Sequence, residues 1–140
     1  MKKLLLFSTL LGILFTSSCA KDDDISDETA IIGTWTLVSY FIEGTALELD
    51  DCDRSSSITY DQTYNYSKNT YQTISNDCKN TYQEIGLWKF LGKNVFTTTP
   101  VDGEPYKFTV GFSGNTYTTE DLVETNGLKK LHRLTYTKNN

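Results

Sequence analysis

The chain has 140 residues, room for one domain with one hydrophobic core. Nine Tyr, seven Phe and two Trp stand beside two Pro, one Met and one His, and with many Thr this mix favours strands over helices. The formal charge of −5 argues against nucleic-acid binding and against electrostatic adsorption to anionic lipid, since both need a basic surface.

Met1-Lys2-Lys3 is a basic start, Leu4 to Phe15 is almost wholly apolar, and Thr16-Ser17-Ser18 is a run of small residues ending at Cys19. That order reads as an export signal over residues 1–18. An apolar run of this length reaches only about 18 Å at helical rise, short of the roughly 30 Å hydrocarbon core, so a spanning helix is the weaker reading. The small residues before Cys19 resemble a lipobox, with Thr16 where Leu is usual. That resemblance implies a thiol carrying a diacylglyceryl group, which becomes the new N-terminus after cleavage and anchors the protein without a spanning segment. The alternative is an ordinary cleaved signal with an incidental Cys. Residues 19–31 are acidic and have almost nothing to bury, as a solvated, extended tether requires. Lys21 followed by Asp22-Asp23-Asp24 also resembles the export signal of lipoproteins sent to the outer face of the outer membrane.

The folded domain is expected over residues 32–140. Ile31 to Tyr40 reads as a first strand and Glu43-Gly44-Thr45 as a turn, with a polar crossover from Leu47 to Asp53. Ser56 to Tyr66 alternates, with Ile58, Tyr60, Tyr64 and Tyr66 on one face, the period of a half-buried strand. Ser67-Lys68-Asn69 then leads into a shorter strand from Tyr71 to Ser75. Tyr82 to Leu91 is apolar on both parities, and Gly86 with the Gly92-Lys93-Asn94 turn favours strand over helix there. Val95 to Thr99, the Tyr106-Phe108-Val110-Phe112 face, polar Thr116 to Glu124 and Leu128 to Lys138 complete about eight strands. Asp102-Gly103, Ser113-Gly114-Asn115 and Asn126-Gly127 supply the reversals. Short strands joined by such turns predict an all-β sandwich or an antiparallel up-and-down barrel.

Gly33-Thr34-Trp35 at the first strand, a second Gly86-Leu87-Trp88, and the terminal Leu134-Thr135-Tyr136-Thr137 resemble the lipocalin-like domain of bacterial lipoproteins. The resemblance covers nearly the whole of the chain after the leader and implies a small calycin-type barrel. The two Gly-x-Trp sequences read as two similar strand starts. Lipocalins lay an arginine from the last strand over the first-strand indole, so Arg133 is expected to cover Trp35, with Gly33 opening that strand.

With Cys19 lipidated, Cys52 and Cys78 remain as an even pair in an exported protein, and a disulfide is the natural reading. Two buried thiols or a metal pair are the alternatives. Asp51, Asp53 and Ser55 have the opening spacing of a calcium loop, but Ser56 stands at its glycine position and Gln62 at its closing glutamate, so the motif fails. Glu120, Asp121 and Glu124 read as an exposed strand end, and His132 has neither a nucleophile elbow nor an orienting acid at a recognisable spacing. No catalytic residue, metal or cofactor is therefore assigned.

Tyr60, Tyr64, Tyr66, Phe108 and Phe112 are what a small apolar or glycan-like ligand would meet in an open barrel. The competing reading is that they fill the interior, because a small eight-stranded barrel is about wide enough for side chains alone. The functional expectation is a monomeric, non-enzymatic binding lipoprotein, held to the outer membrane through Cys19 and facing the cell surface. The alternative is a lipoprotein with a filled barrel that meets another envelope protein through its loops.

Overall fold

The computed structural model describes residues 27–139. The export signal, Cys19 and the acidic run after it lie outside the described residues. One helical turn, Asp27–Ala30 (α1), precedes nine strands: Gly33–Ile42 (β1), Thr45–Ala46 (β2), Ser57–Tyr60 (β3), Asn65–Ile74 (β4), Asp77–Gly92 (β5), Val95–Pro100 (β6), Tyr106–Ser113 (β7), Thr116–Thr125 (β8) and Leu128–Lys138 (β9). A 3-10 turn, Asp53–Ser55, precedes β3. All neighbours are antiparallel, and β9 pairs back onto β1, so eight strands close a ring and two-residue β2 hangs on β1 as a flap. The fold is all-β and, of the sandwich and the antiparallel up-and-down barrel that the turn spacing allowed, it is the barrel, as the resemblance implied; closure removes the long unpaired edges that an open sheet exposes. No helix among the described residues is long and apolar enough to cross a membrane.

The alternating run from Ser56 to Tyr66 is two strands with a hairpin between them. Asp61 makes the difference: its carboxylate accepts the backbone N–H groups of Thr63 and Asn65 at 2.8 and 2.9 Å and the Thr63 hydroxyl at 2.7 Å. A side chain that captures its own following amides competes with the ladder and turns the chain. Tyr64 takes a left-handed backbone (φ 64°) in that turn and leaves the face shared by Tyr60 and Tyr66. Ser67-Lys68-Asn69, expected as a connection, lies within β4. Gly86-Leu87-Trp88 is likewise mid-strand in β5, not a strand start. A Cβ at Gly86 would sit 2.1 Å from the Thr99 carbonyl oxygen, so glycine permits the close approach of β5 to β6.

One end of the barrel is filled. Trp35, Phe96 and Val110 are wholly buried there with Trp88. Rings meet edge-on or tilted, Trp35 against Tyr117 at 4.7 Å and Trp88 against Phe96 at 6.3 Å, the offset arrangements that aromatic quadrupoles favour. Both indole N–H groups are satisfied by backbone carbonyls, Trp35 by Ile31 (2.6 Å) and Trp88 by Asp61 (3.0 Å). Ile31 is 0% exposed and follows directly on α1, so the last residues of the stretch read as tether belong to the packed body.

Arg133 does not cover Trp35. Inward residues of β9 are His132, Leu134 and Tyr136; Arg133 falls on the outer parity, where its Nε donates to Glu120 Oε1 at 2.5 Å. Register pairs Trp35 with Lys138, and the Lys138 ammonium lies 5.2 Å from the indole and donates to the Ala30 carbonyl. The cation over the indole is therefore a lysine five positions further along the same strand.

Candidate functional site

Above the filled end the interior opens into a chamber of about 440 Å³ that reaches solvent at the other end. Each of the eight ring strands contributes to its wall, so its shape follows from strand parity. On β8 the odd residues Tyr117, Thr119, Asp121 and Val123 face in; opposite them on β9 stand Tyr136, Leu134 and His132. Irregular pairing at Leu37/Ser39 in β1 adds one residue, so Tyr40 faces inward with Trp35 and Leu37 although its parity differs. Tyr106 and Phe108 from β7, Thr98 and Pro100 from β6, Glu84 from β5, Tyr66 and Lys68 from β4, and Ile58 and Tyr60 from β3 complete the lining.

The chamber floor is a cluster of phenols. Tyr60, Tyr117 and Tyr136 are buried, and burial raises the pKa of each above the ordinary phenol value, so all three are neutral at physiological pH. Tyr117 is 1% exposed; its hydroxyl points toward that of Tyr60 yet finds no partner in hydrogen-bonding geometry. A fully enclosed hydroxyl without a partner is costly, on the order of 1 to 3 kcal/mol.

Charge is concentrated nearer the mouth. Glu84 accepts the Tyr66 hydroxyl through Oε1 at 2.8 Å and the Tyr82 hydroxyl through Oε2. Asp121 faces Tyr106, whose pKa is raised by burial first and then by that carboxylate. His132 Nδ1 lies 2.5 Å from the Tyr40 hydroxyl, in register with Asp121 on the neighbouring strand. The Lys68 ammonium leans over the Tyr82 ring at 5.8 Å. Neither Glu84 nor Asp121 lies within ion-pairing distance of a cation among the described residues, where the Arg133–Glu120 pair sits on the outer wall.

Of the five residues expected to meet a ligand, the structure brings Tyr60, Tyr66 and Phe108 together in the lining. Phe112 lies deeper, packed against Trp35, Phe96 and Tyr117. Tyr64 sits at the closed end, its ring 5.2 Å from Trp88 and its hydroxyl donating to Glu28. Asp121 is not the exposed strand end it was expected to be, whereas Glu120 and Glu124, on the other parity of β8, are exposed. Tyr40, Tyr117, Tyr136 and Glu84 were missed. The inward parity of β8 reads Tyr-Thr-Asp-Val, which has no apolar face to mark it.

Cys52 and Cys78 are joined by a disulfide with Cα atoms 5.3 Å apart. It ties the loop before β3 to the start of β5, beside a hydrogen bond from the Thr73 hydroxyl to Asp50 at 2.6 Å. Asp50 and Asp53 accept each other's backbone N–H groups, so two carboxylates of the failed calcium motif's neighbourhood cap a turn. No group of His, Cys, Asp and Glu among the described residues is arranged to hold a metal ion.

Fold and site together define a small antiparallel barrel with one packed end and one tyrosine-lined chamber. No protein-family model matches the chain, and no curated protein matches it. Among solved structures, aphrodisin, a sex pheromone from female hamster, aligns over 79% of this chain and 76% of its own, at 14% identity and a TM-score of 0.41.

Proposed function

We propose that this protein is a non-enzymatic, lipid-anchored lipoprotein of the outer membrane, facing the cell surface, whose barrel holds one small ligand with an apolar body. The observation that carries the binding half is the chamber of about 440 Å³, walled largely by rings and floored by hydroxyls, within the size range of small-molecule pockets. The lipobox-like run ending at Cys19 and the Lys21-Asp22-Asp23-Asp24 sequence support the anchoring half. The protein is extracted in detergent from its own envelope and analysed by native mass spectrometry. A small molecule is expected to leave on denaturation and to be absent from a Thr119→Trp variant, in which an indole fills the chamber. Protein that is empty in both forms overturns the binding reading. Metabolic labelling with a fatty-acid analogue is expected to mark the wild type and not Cys19→Ser.

A second reading, a surface lipoprotein that meets another envelope protein, draws on the outer wall of β5. Ile85, Leu87 and Val101 lie side by side there, each more than half exposed at 56%, 59% and 69%, and contiguous apolar surface marks contact sites. It is separated from the first by an empty chamber together with a partner lost in Leu87→Lys.

A further inference from the structure

Resting on the reading of the chamber as a small-molecule site, we propose that it selects an organic cation, an ammonium on an aromatic body. Two independent features of the wall point the same way.

Charge comes first. The charged and titratable groups lining the chamber near its mouth are Glu84, Asp121, Lys68 and His132. Both carboxylates lack an ion-pair partner among the described residues, while Lys68 is turned toward the Tyr82 ring. Glu84 accepts two hydroxyls and has Lys68 opposite it across the β4–β5 ladder, so two carboxylates against one ammonium leave the mouth net negative. An incoming anion is repelled by this mouth, and an ammonium is attracted in a partly desolvated space where the Coulomb term is stronger than in bulk water.

The rings come second. Tyr40, Tyr60, Tyr66, Tyr106 and Phe108 present π-systems around the space between the carboxylates and the floor, and such faces attract cations as well as stack on aromatic bodies. A ligand that satisfies both is a cation at one end with a flat, apolar body.

The test is a charge series on one scaffold, with the purified full chain in an isothermal titration calorimeter at neutral pH. Tryptamine, tryptophol and indole-3-acetate share an indole and carry a cationic, neutral and anionic head. Tryptamine is expected to bind at least about tenfold more tightly than tryptophol, and indole-3-acetate more weakly than either. In a Glu84→Gln/Asp121→Asn variant the tryptamine-to-tryptophol ratio falls to about one, whereas Glu120→Gln on the outer wall leaves the ratio unchanged. Circular dichroism melts of each variant show that the barrel is intact.

Equal or tighter binding of indole-3-acetate overturns the proposal, as does a ratio that survives the double variant or falls equally in Glu120→Gln. N-phenyl-1-naphthylamine, an uncharged probe that brightens in apolar surroundings, separates this failure from that of the chamber reading. Its uptake without binding of tryptamine sinks the cation selectivity alone. Failure of every probe sinks the chamber reading with it.

Discussion

The two ends of this barrel are made by the same strands yet obey different packing rules. At the closed end large rings interlock, two indole N–H groups find backbone carbonyls, and Trp35 and Phe96 are essentially without solvent contact. At the open end the inward positions carry hydroxyls, carboxylates and an imidazole, and Tyr106 is still 44% exposed. A small eight-stranded barrel has just enough width to be filled by side chains. Here filling one end completely and tyrosine-lining the other divides one interior into a part that is packed and a part that stays open. The lesson is that the question whether aromatic faces fill a barrel or await a ligand is answered separately at each depth.

The most sweeping way to break that division is alkali. Burial holds Tyr60, Tyr117 and Tyr136 above the ordinary phenol pKa, which lies at about 10 in an unfolded chain. The folded state keeps these protons to higher pH than the unfolded state. Their stabilising contribution is thus whole below about pH 10 and drains away as pH climbs from there toward the folded values. Tyrosinate absorbance is expected to rise in two stages, exposed tyrosines first, with the second stage coinciding with loss of near-ultraviolet dichroism. A complete rise with the dichroism intact would mean that the floor phenols are open to solvent.

Next in size is a pair of truncations at the two ends. Trp35→Ala is expected to cost about 3 to 5 kcal/mol, because it removes a large side chain from a site whose neighbours cannot collapse. Tyr106→Ala at the mouth is expected to stay within about 1 kcal/mol. Urea denaturation measures both, and equal losses would erase the distinction between a packed end and an open end.

Cys52→Ser/Cys78→Ser follows at about 3 kcal/mol in the chain-entropy model, from a loop of 26 positions that encloses β3 and β4. The cross-link clamps the β4–β5 hairpin on the chamber side, where aromatic packing is thin. Hydrogen exchange of the double variant is therefore expected to speed most in β4 and β5 near Thr73 and Cys78, with Trp35 and its neighbours least affected. Uniform acceleration would show that the two ends are not energetically separable.

Much of the barrel was legible because strand parity and turn chemistry are local. Tyr106-Phe108-Val110-Phe112 announced an inward face, and Asn126-Gly127 announced a reversal, without reference to anything distant. What stayed hidden depended on side chains acting on the backbone or on register. Asp61 cuts an alternating run by capturing two amides, which periodicity cannot register. The extra residue in β1 turns Tyr40 inward, and an inserted residue is visible only once β1 and β9 are aligned. Asp121 and Glu84 were passed over because a carboxylate in a strand reads as solvent-facing, whereas in a barrel with an open end the inward parity near the mouth is solvent-facing too.

The smallest expected effect sharpens the closed end. Pairing of Trp35 with Lys138 puts a flexible cation over the indole, with its ammonium also donating to Ala30 and its methylenes lying against Gly33. Lys138→Met keeps most of that packing and removes the charge, so the expected cost is the cation-π share, about 0.5 to 1 kcal/mol. Arg133→Met breaks an ion pair whose side chains are 51% and 47% exposed, and such pairs contribute about 0 to 1 kcal/mol in water. Tryptophan emission discriminates better than stability does: it is expected to shift in Lys138→Met and to stay unchanged in Arg133→Met. A shift in the arginine variant alone would return the indole's cover to Arg133 and with it the arginine arrangement of the lipocalins.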